Sequence, residues 1–118
     1  MRNLMITAAL IAVTLFSIDA PAGRVPGPGS ATERVLAFDT DVYRITFRGG
    51  ETARIVVAGD GDTDLDLYVY DEHGHLIASD TDLTDFCVVT FHPRWTGAFR
   101  VEIRNLGSVY NAYTIATN

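Results

Sequence analysis

Residues Ala98 to Arg104 alternate without a break, with Phe99, Val101 and Ile103 on one side and Arg100, Glu102 and Arg104 on the other. In an extended chain successive side chains point to opposite faces, so this stretch reads as a strand with one face in a core and one in water. The same period recurs along the chain. Val42 to Arg48 sends Tyr43, Ile45 and Phe47 inward and Arg44, Thr46 and Arg48 outward. Ala53 to Ala58, Leu65 to Asp71 and His75 to Ser79 are further short strands, and Val109 to Thr117 closes the series with Tyr113 and Ile115 inside. Phe86 to His92 carries apolar residues on both sides and is expected to be a central strand.

Turn residues separate these segments: Gly49-Gly50, Glu72-His73-Gly74 with Gly74 able to take positive φ, Pro93 to Gly97, and Asn105 to Ser108. Beyond the first 22 residues no segment holds a helical period over ten or more positions. The expected fold is all-β, a jelly-roll-like antiparallel β-sandwich of about seven or eight short strands.

The N-terminus reads differently. Met1-Arg2-Asn3 is a short positive region, and Leu4 to Ile18 is apolar apart from Thr7, Thr14 and Ser17. Ala20-Pro21-Ala22 then offers the small-x-small site that a signal peptidase needs, leaving Gly23 as the new terminus; Ile18-Asp19-Ala20 is a second site, disfavoured by Pro21. The apolar stretch falls short of the ~20 residues of a spanning helix. The expected organisation is a signal peptide over 1–22, a flexible leader over 23–34 and a β-sandwich over 35–118. The expected location is secreted or periplasmic, with no membrane association after cleavage.

About 96 residues would then remain, enough for one domain. Cys87 is the only cysteine, so no internal disulfide is available, and its place beside Val88 and Val89 reads as buried and inert. The formal net charge of −6 leaves no basic stripe for a nucleic-acid partner.

Asp60, Asp62, Asp64 and Asp66 stand two apart where the Gly-containing turn at Asp60 enters a strand, and Asp80, Asp82 and Asp85 form a second acidic loop. Hard carboxylate oxygens are what calcium prefers, and four acids at that spacing repel one another unless a cation or water relieves them. An EF-hand is excluded, because counting from Asp60 puts Leu65 where that loop requires glycine. A site would instead draw acids from two loops: Asp60, Asp62, Asp64, Asp66, Asp80 and Asp82. Asp and Gly also make good turns, so the run supports two readings, ligand set and turn chemistry.

Opposite Leu65, Leu67 and Val69, the same strand presents Tyr68 and Tyr70, and Trp95 sits at a turn. Exposed rings stack on sugars or on an extended protein ligand at small entropic cost. Tyr68, Tyr70, Trp95 and Arg100 are therefore the candidate ligand contacts. Arg44, Arg48 and Arg104 would add polar contacts if their strands adjoin. His73, His75 and Asp71 lie together in sequence, but turn residues splay and no fourth zinc ligand is evident. No nucleophile elbow, His-Glu-x-x-His or phosphate-binding glycine loop occurs, so no catalytic residue is expected.

Asp64-Leu-Asp-Leu-Tyr-Val-Tyr70, Asp71-Glu-His-Gly-His-Leu-Ile77, Gly97-Ala-Phe-Arg-Val-Glu-Ile103 and Asn111-Ala-Tyr-Thr-Ile115, in that order, resemble the bacterial pre-peptidase C-terminal domain from about Ala37 to Thr117. The resemblance implies a jelly-roll-like sandwich that serves secreted peptidases and other exoenzymes as a non-catalytic accessory. Similar collagen-binding modules bind calcium and a fibrous substrate. No catalytic domain is expected ahead of the module, so delivery of an attached enzyme does not carry over as it stands. The expected function is a secreted, non-catalytic binding module, calcium-stabilised, that contacts an extracellular protein fibre or polysaccharide through its aromatic face. The alternative is a structural partner acting in trans on a separately encoded secreted peptidase or a cell-surface assembly, by strand addition at an uncovered edge.

Overall fold

A computed structural model describes residues 23–118. The expected export signal and both of its cleavage sites lie outside them. Eight strands follow in chain order: β1 (Gly29–Val35), β2 (Thr40–Phe47), β3 (Ala53–Ala58), β4 (Leu65–Tyr70), β5 (Leu76–Asp80), β6 (Phe86–Phe91), β7 (Gly97–Asn105) and β8 (Asn111–Thr117). They form two antiparallel four-stranded sheets, ordered β1-β8-β3-β6 and β2-β7-β4-β5. Successive strands mostly alternate between the sheets, which is the jelly-roll connection expected from the strand count and spacing. Among the described residues no helix is long and apolar enough to cross a membrane.

The alternation sets the core. Tyr43, Ile45 and Phe47 of β2, Leu65, Leu67 and Val69 of β4, and Phe99, Val101 and Ile103 of β7 meet Ile55, Val57, Cys87, Val89, Phe91, Tyr113 and Ile115 of the other sheet. At one end Phe47, Phe91 and Phe99 pack edge-on or tilted with ring centroids 5.3 to 6.0 Å apart. Toward the middle a polar chain crosses the interior: Tyr43 Oη lies 2.7 Å from Tyr113 Oη, which donates to Asp41 Oδ2 at 2.7 Å. Burial pushes the Tyr113 hydroxyl far above its ordinary value, with the Tyr43 and Asp41 neighbours adding to the effect, so it stays protonated and serves as a donor.

Two expectations are corrected. β6 is an edge strand, not a central one. Cys87, Val89 and Phe91 face the core, whereas Phe86 is exposed and Val88 half-buried. The second side is mostly open to solvent; β5 of the opposite sheet comes alongside only near Val88, whose N–H is accepted by Asp80 Oδ2 at 2.9 Å. The stretch 23–34 is not a plain leader either. Gly29–Val35 pairs along its full length with β8, and Arg24 forms a bridge with Phe47. Only Gly29 and Val35 of β1 are buried, so an edge strand held by backbone bonding carried little period for the sequence to show.

The first and last described residues meet at one corner. The Arg24 N–H donates to the Asn118 carbonyl at 2.8 Å and the Arg48 N–H to the Gly23 carbonyl at 3.0 Å.

Candidate functional site

The outer face of β2-β7-β4-β5 carries the tyrosines. Register places Tyr68 beside Glu102, Tyr70 beside Arg100, Asp66 beside Arg104, and Arg44 across β7 beside Arg100. The two rings are nearly parallel, 15° apart, with centroids separated by 6.4 Å. Each carries a guanidinium: Arg104 lies 4.0 Å from the Tyr68 centroid and Arg100 lies 4.3 Å from that of Tyr70. Arg104 Nη2 also donates to Tyr70 Oη at 3.0 Å, and Glu102 accepts from Arg100 Nε and from Arg104 Nε and Nη2. Five side chains from two strands thus form one ladder in which cation–π contacts and charge-assisted bonds fix the rotamers. The rings are half-buried, their faces shared with arginine, so the surface is a mixed Tyr–Arg face and not bare aromatic. Arg44 is exposed beside it. Arg48 lies beyond the end of β2.

The acidic residues divide by what their oxygens do. Asp60 is a turn-former: Oδ1 accepts the Asp62 N–H at 3.0 Å and Oδ2 the Ala112 N–H at 2.8 Å, tying the turn to β8. Asp62 is exposed. Asp85 Oδ2 accepts from the Gly61 N–H and from Asn111 Nδ2. Asp82 Oδ1 accepts the N–H and hydroxyl of Thr84, which holds its carboxyl below the usual range. Asp64 and Asp66 differ. Each has a buried Oδ1 with no hydrogen-bond donor among the described residues. Burial first, then the Asp82 and Asp85 charges, raises the Asp64 carboxyl; burial, Asp64, Asp80 and Asp82 raise that of Asp66 against the pull of Arg104. As placed, no three acids, cysteines or histidines among the described residues converge as a metal centre. Two orphaned, hard oxygens in a field of carboxylates nevertheless fit a cation's chemistry.

Trp95 lies apart from the tyrosine ladder, at the end of the sandwich where the β4–β5 hairpin meets the β6–β7 loop. It lines a cleft of about 360 Å³ with Asp71, His75, Ile77, His92, Arg94 and the floor residue Phe99. Gly74, at φ 85°, makes the tight hairpin turn. Asp71 organises the hairpin: Oδ1 accepts the N–H groups of His73 and His75, and Oδ2 lies 3.1 Å from His75 Nδ1. Although burial works against it, those bonds and the His75 ring bring its carboxyl below the usual range. His73 packs against Trp95 at 6.1 Å and lies 6.3 Å from the His75 ring, while His92 pairs with the Thr52 hydroxyl; among the described residues they do not form a metal-type cluster. The Asp71–His75 contact and the cleft itself were not foreseen from sequence; the spacing Asp71-x-x-x-His75 around Gly74 was the available signal.

Cys87 Sγ donates to the Leu65 carbonyl at 3.2 Å, and burial, reinforced by Asp80 and Asp82, pushes the thiol up to about 12. At neutral pH it is a thiol and not a nucleophile.

No protein-family model and no curated protein matches the chain. Its structure is similar to that of the pre-peptidase C-terminal domain of a Bacillus anthracis collagenase, with TM-score 0.60 and 13% identity, over 75% of this chain and 87% of that one. It is also similar to a periplasmic inhibitor of g-type lysozyme from Aeromonas hydrophila, with TM-score 0.57 and 12% identity, over 87% of this chain and 91% of that one. A third is a Yersinia pseudotuberculosis-derived mitogen, with TM-score 0.57 and 10% identity, over 78% and 85% of the two chains. At these identities the likeness is one of fold. It agrees with the resemblance carried by Asp64–Tyr70 and Gly97–Ile103: the chain has the jelly-roll-like sandwich of the pre-peptidase C-terminal domain.

Proposed function

We propose that this protein is an extracytoplasmic, non-catalytic binding module, and that the Tyr–Arg ladder on the β2-β7-β4-β5 face is its contact with an extracellular polymer. The observation that carries the reading is the ordering of Tyr68, Tyr70, Arg100 and Arg104 through cation–π contacts at 4.0 and 4.3 Å on a solvent-facing sheet. Tyrosine and arginine are the residue types enriched where interfaces concentrate their energy, and a pre-ordered ladder gives up little rotamer freedom on binding. A protein fibre, with its carbonyl and carboxylate acceptors, suits exposed Arg44 and the ladder's arginines. The export signal over Met1–Ala22 belongs to the same reading.

Calcium would be held by Asp64 and Asp66, with Asp80 and Asp82 supplying further charge; Asp60 and Asp62 fall outside that smaller set. A bound ion would relieve carboxylate repulsion and join the loop before β4 to the loop after β5.

The test is co-sedimentation of the purified protein with insoluble collagen. Tyr70→Ala should weaken binding by roughly tenfold, a hot-spot-sized effect, while leaving the β-rich circular dichroism spectrum intact. Undiminished binding by a folded Tyr70→Ala protein rules the face out.

A second reading is favoured by a different surface. Leu36, Phe38, Leu106, Val109 and Tyr110 are all exposed on the β1–β2 and β7–β8 loops, Phe38 at 73%. Asn105 clamps those loops through Nδ2 to the Val35, Leu36 and Val109 carbonyls. Phe38 holds φ 55°, a conformation that a bulky side chain rarely adopts. A rigid apolar tip of this kind suits insertion into a partner protein, such as a separately encoded exoenzyme. The lysozyme inhibitor that shares the fold acts on an enzyme.

A further inference from the structure

The cleft at the Trp95 end is built from parts the Tyr–Arg face does not use. Trp95 is held as a platform. Its only polar atom, Nε1, donates to Glu72 Oε1 at 3.2 Å, and His73 packs against its ring. Gly49 and Gly97 leave it room: a Cβ on Gly49 would come within 2.5 Å of the Trp95 backbone, and one on Gly97 within 3.2 Å of Nε1. With its N–H engaged and 45% of its surface exposed, the indole offers a flat apolar surface and no free donor. Phe99 and Ile77 continue that apolar lining.

The polar groups in and beside the cleft carry both signs: Arg94 is a permanent cation, Asp71 and Glu72 are carboxylates, and His75 and His92 add imidazole nitrogens. The lone lining carboxylate, Asp71, already receives two backbone N–H groups and faces the His75 ring. With Asp71 and Glu72 already accepting N–H groups, Arg94 is the group lining this cleft that favours a negative ligand beside the apolar ring. Its volume of about 360 Å³ lies at the small end of the ~300–1,000 Å³ typical of small-molecule sites, the scale of one or two sugar rings.

From this we propose a second binding site, separate from the Tyr–Arg face, that takes a carboxylate-bearing pyranose unit of an acidic polysaccharide. The ring stacks on Trp95, the carboxylate pairs with Arg94, and the imidazoles of His75 and His92 meet ring hydroxyls. Such a ligand uses the apolar platform and the Arg94 cation, while the neighbouring acids Asp71 and Glu72 are already engaged by N–H donors.

The test is calorimetric titration of the purified protein with a tetramer of galacturonic acid and with the same tetramer after carboxyl reduction. Saturable binding of the acid form is expected, weakened by roughly tenfold or more for the reduced form and again by Trp95→Ala, each a difference of about 1.4 kcal/mol. Arg94→Gln, at an exposed position that leaves the core alone, should weaken only the acid form and lower its salt dependence. Tyr70→Ala should bind the tetramer as the unaltered protein does, which separates this site from the sheet face. Absence of binding, equal binding of the two tetramers, or a folded Arg94→Gln protein that binds the acid form unchanged would each overturn the proposal. So would loss of tetramer binding in Tyr70→Ala with none in Trp95→Ala.

Discussion

Asp66 begins the outward row of β4 with 7% of its surface exposed and with Oδ1 lacking a donor. Leaving a buried polar atom unsatisfied costs about 1–3 kcal/mol, and Asp64, Asp80 and Asp82 add repulsion that Arg104 only partly offsets. Asp66→Asn removes the charge at nearly constant volume. In chelator at pH 7 a net gain of about 1 kcal/mol is expected, which for a domain of this size raises Tm by ~4–8 °C.

The pH dependence has a definite sign. The carboxyls of Asp64 and Asp66 titrate above their ordinary value in the folded state, so the folded protein binds these protons more tightly than the unfolded chain. The penalty is absent well below the ordinary carboxylate value, grows as pH rises toward the shifted values, and is complete above them. The advantage of Asp66→Asn should therefore vanish near pH 3 and be full at pH 7. Calcium should reverse the order. An ion at ~100 times its Kd adds about 2.7 kcal/mol to the protein that binds it, more than the asparagine gains. Thermal melts of both proteins, with chelator and with millimolar calcium at two pH values, supply all the comparisons. A lower Tm for Asp66→Asn in chelator at pH 7 means the carboxylate is satisfied, and an equal calcium shift in both proteins places the ion elsewhere.

Two further outcomes follow from the buried tyrosines and from Phe38. Tyr113→Phe removes the hydroxyl that meets both Tyr43 Oη and Asp41 Oδ2 in the core and should cost about 1–3 kcal/mol; a denaturant midpoint equal to that of the unaltered protein would refute a stabilising role for those bonds. Phe38→Gly removes a ring that is 73% exposed from a φ of 55°. Relief of a strain of about 1–2 kcal/mol should hold or raise Tm, and a fall of several degrees would show the ring to be part of the core packing.

The core was legible because its strands alternate: every inward residue expected in Val42–Arg48 and Ala98–Arg104 is buried. Order across a sheet was less so. Apolar residues on both sides of Phe86–His92 suggested a central strand, but on the outer side Phe86 stands exposed and Val88 is only half-buried, so the second apolar side marks no second neighbour in the sheet. β1 was missed for the reverse reason, since a strand held by backbone bonds along β8 needs few inward side chains. At the site, period two put Tyr68, Tyr70, Arg100 and Arg104 on outward faces, yet only register between β4 and β7 could reveal that the arginines cover the rings. Trp95 was grouped with those tyrosines as an exposed aromatic; the loop carrying it instead faces the hairpin around Asp71 and His75. Alternating charge along Asp60–Asp66 likewise gave no means to separate Asp60, consumed by backbone N–H groups, from Asp66, which has an oxygen to spare.

The meeting of Gly23–Arg24 with Asn118 at one corner bears on how such a sandwich can be moved between proteins. A unit whose ends touch can be spliced into a surface loop of a host without prising either open, because the host's chain leaves and re-enters at nearly the same point. It can equally be closed by a short linker and reopened at the exposed Gly74 hairpin, giving a circularly permuted chain with the same two sheets. The Tyr–Arg face and the Trp95 cleft would then travel together as one portable cassette, in a fixed orientation to each other.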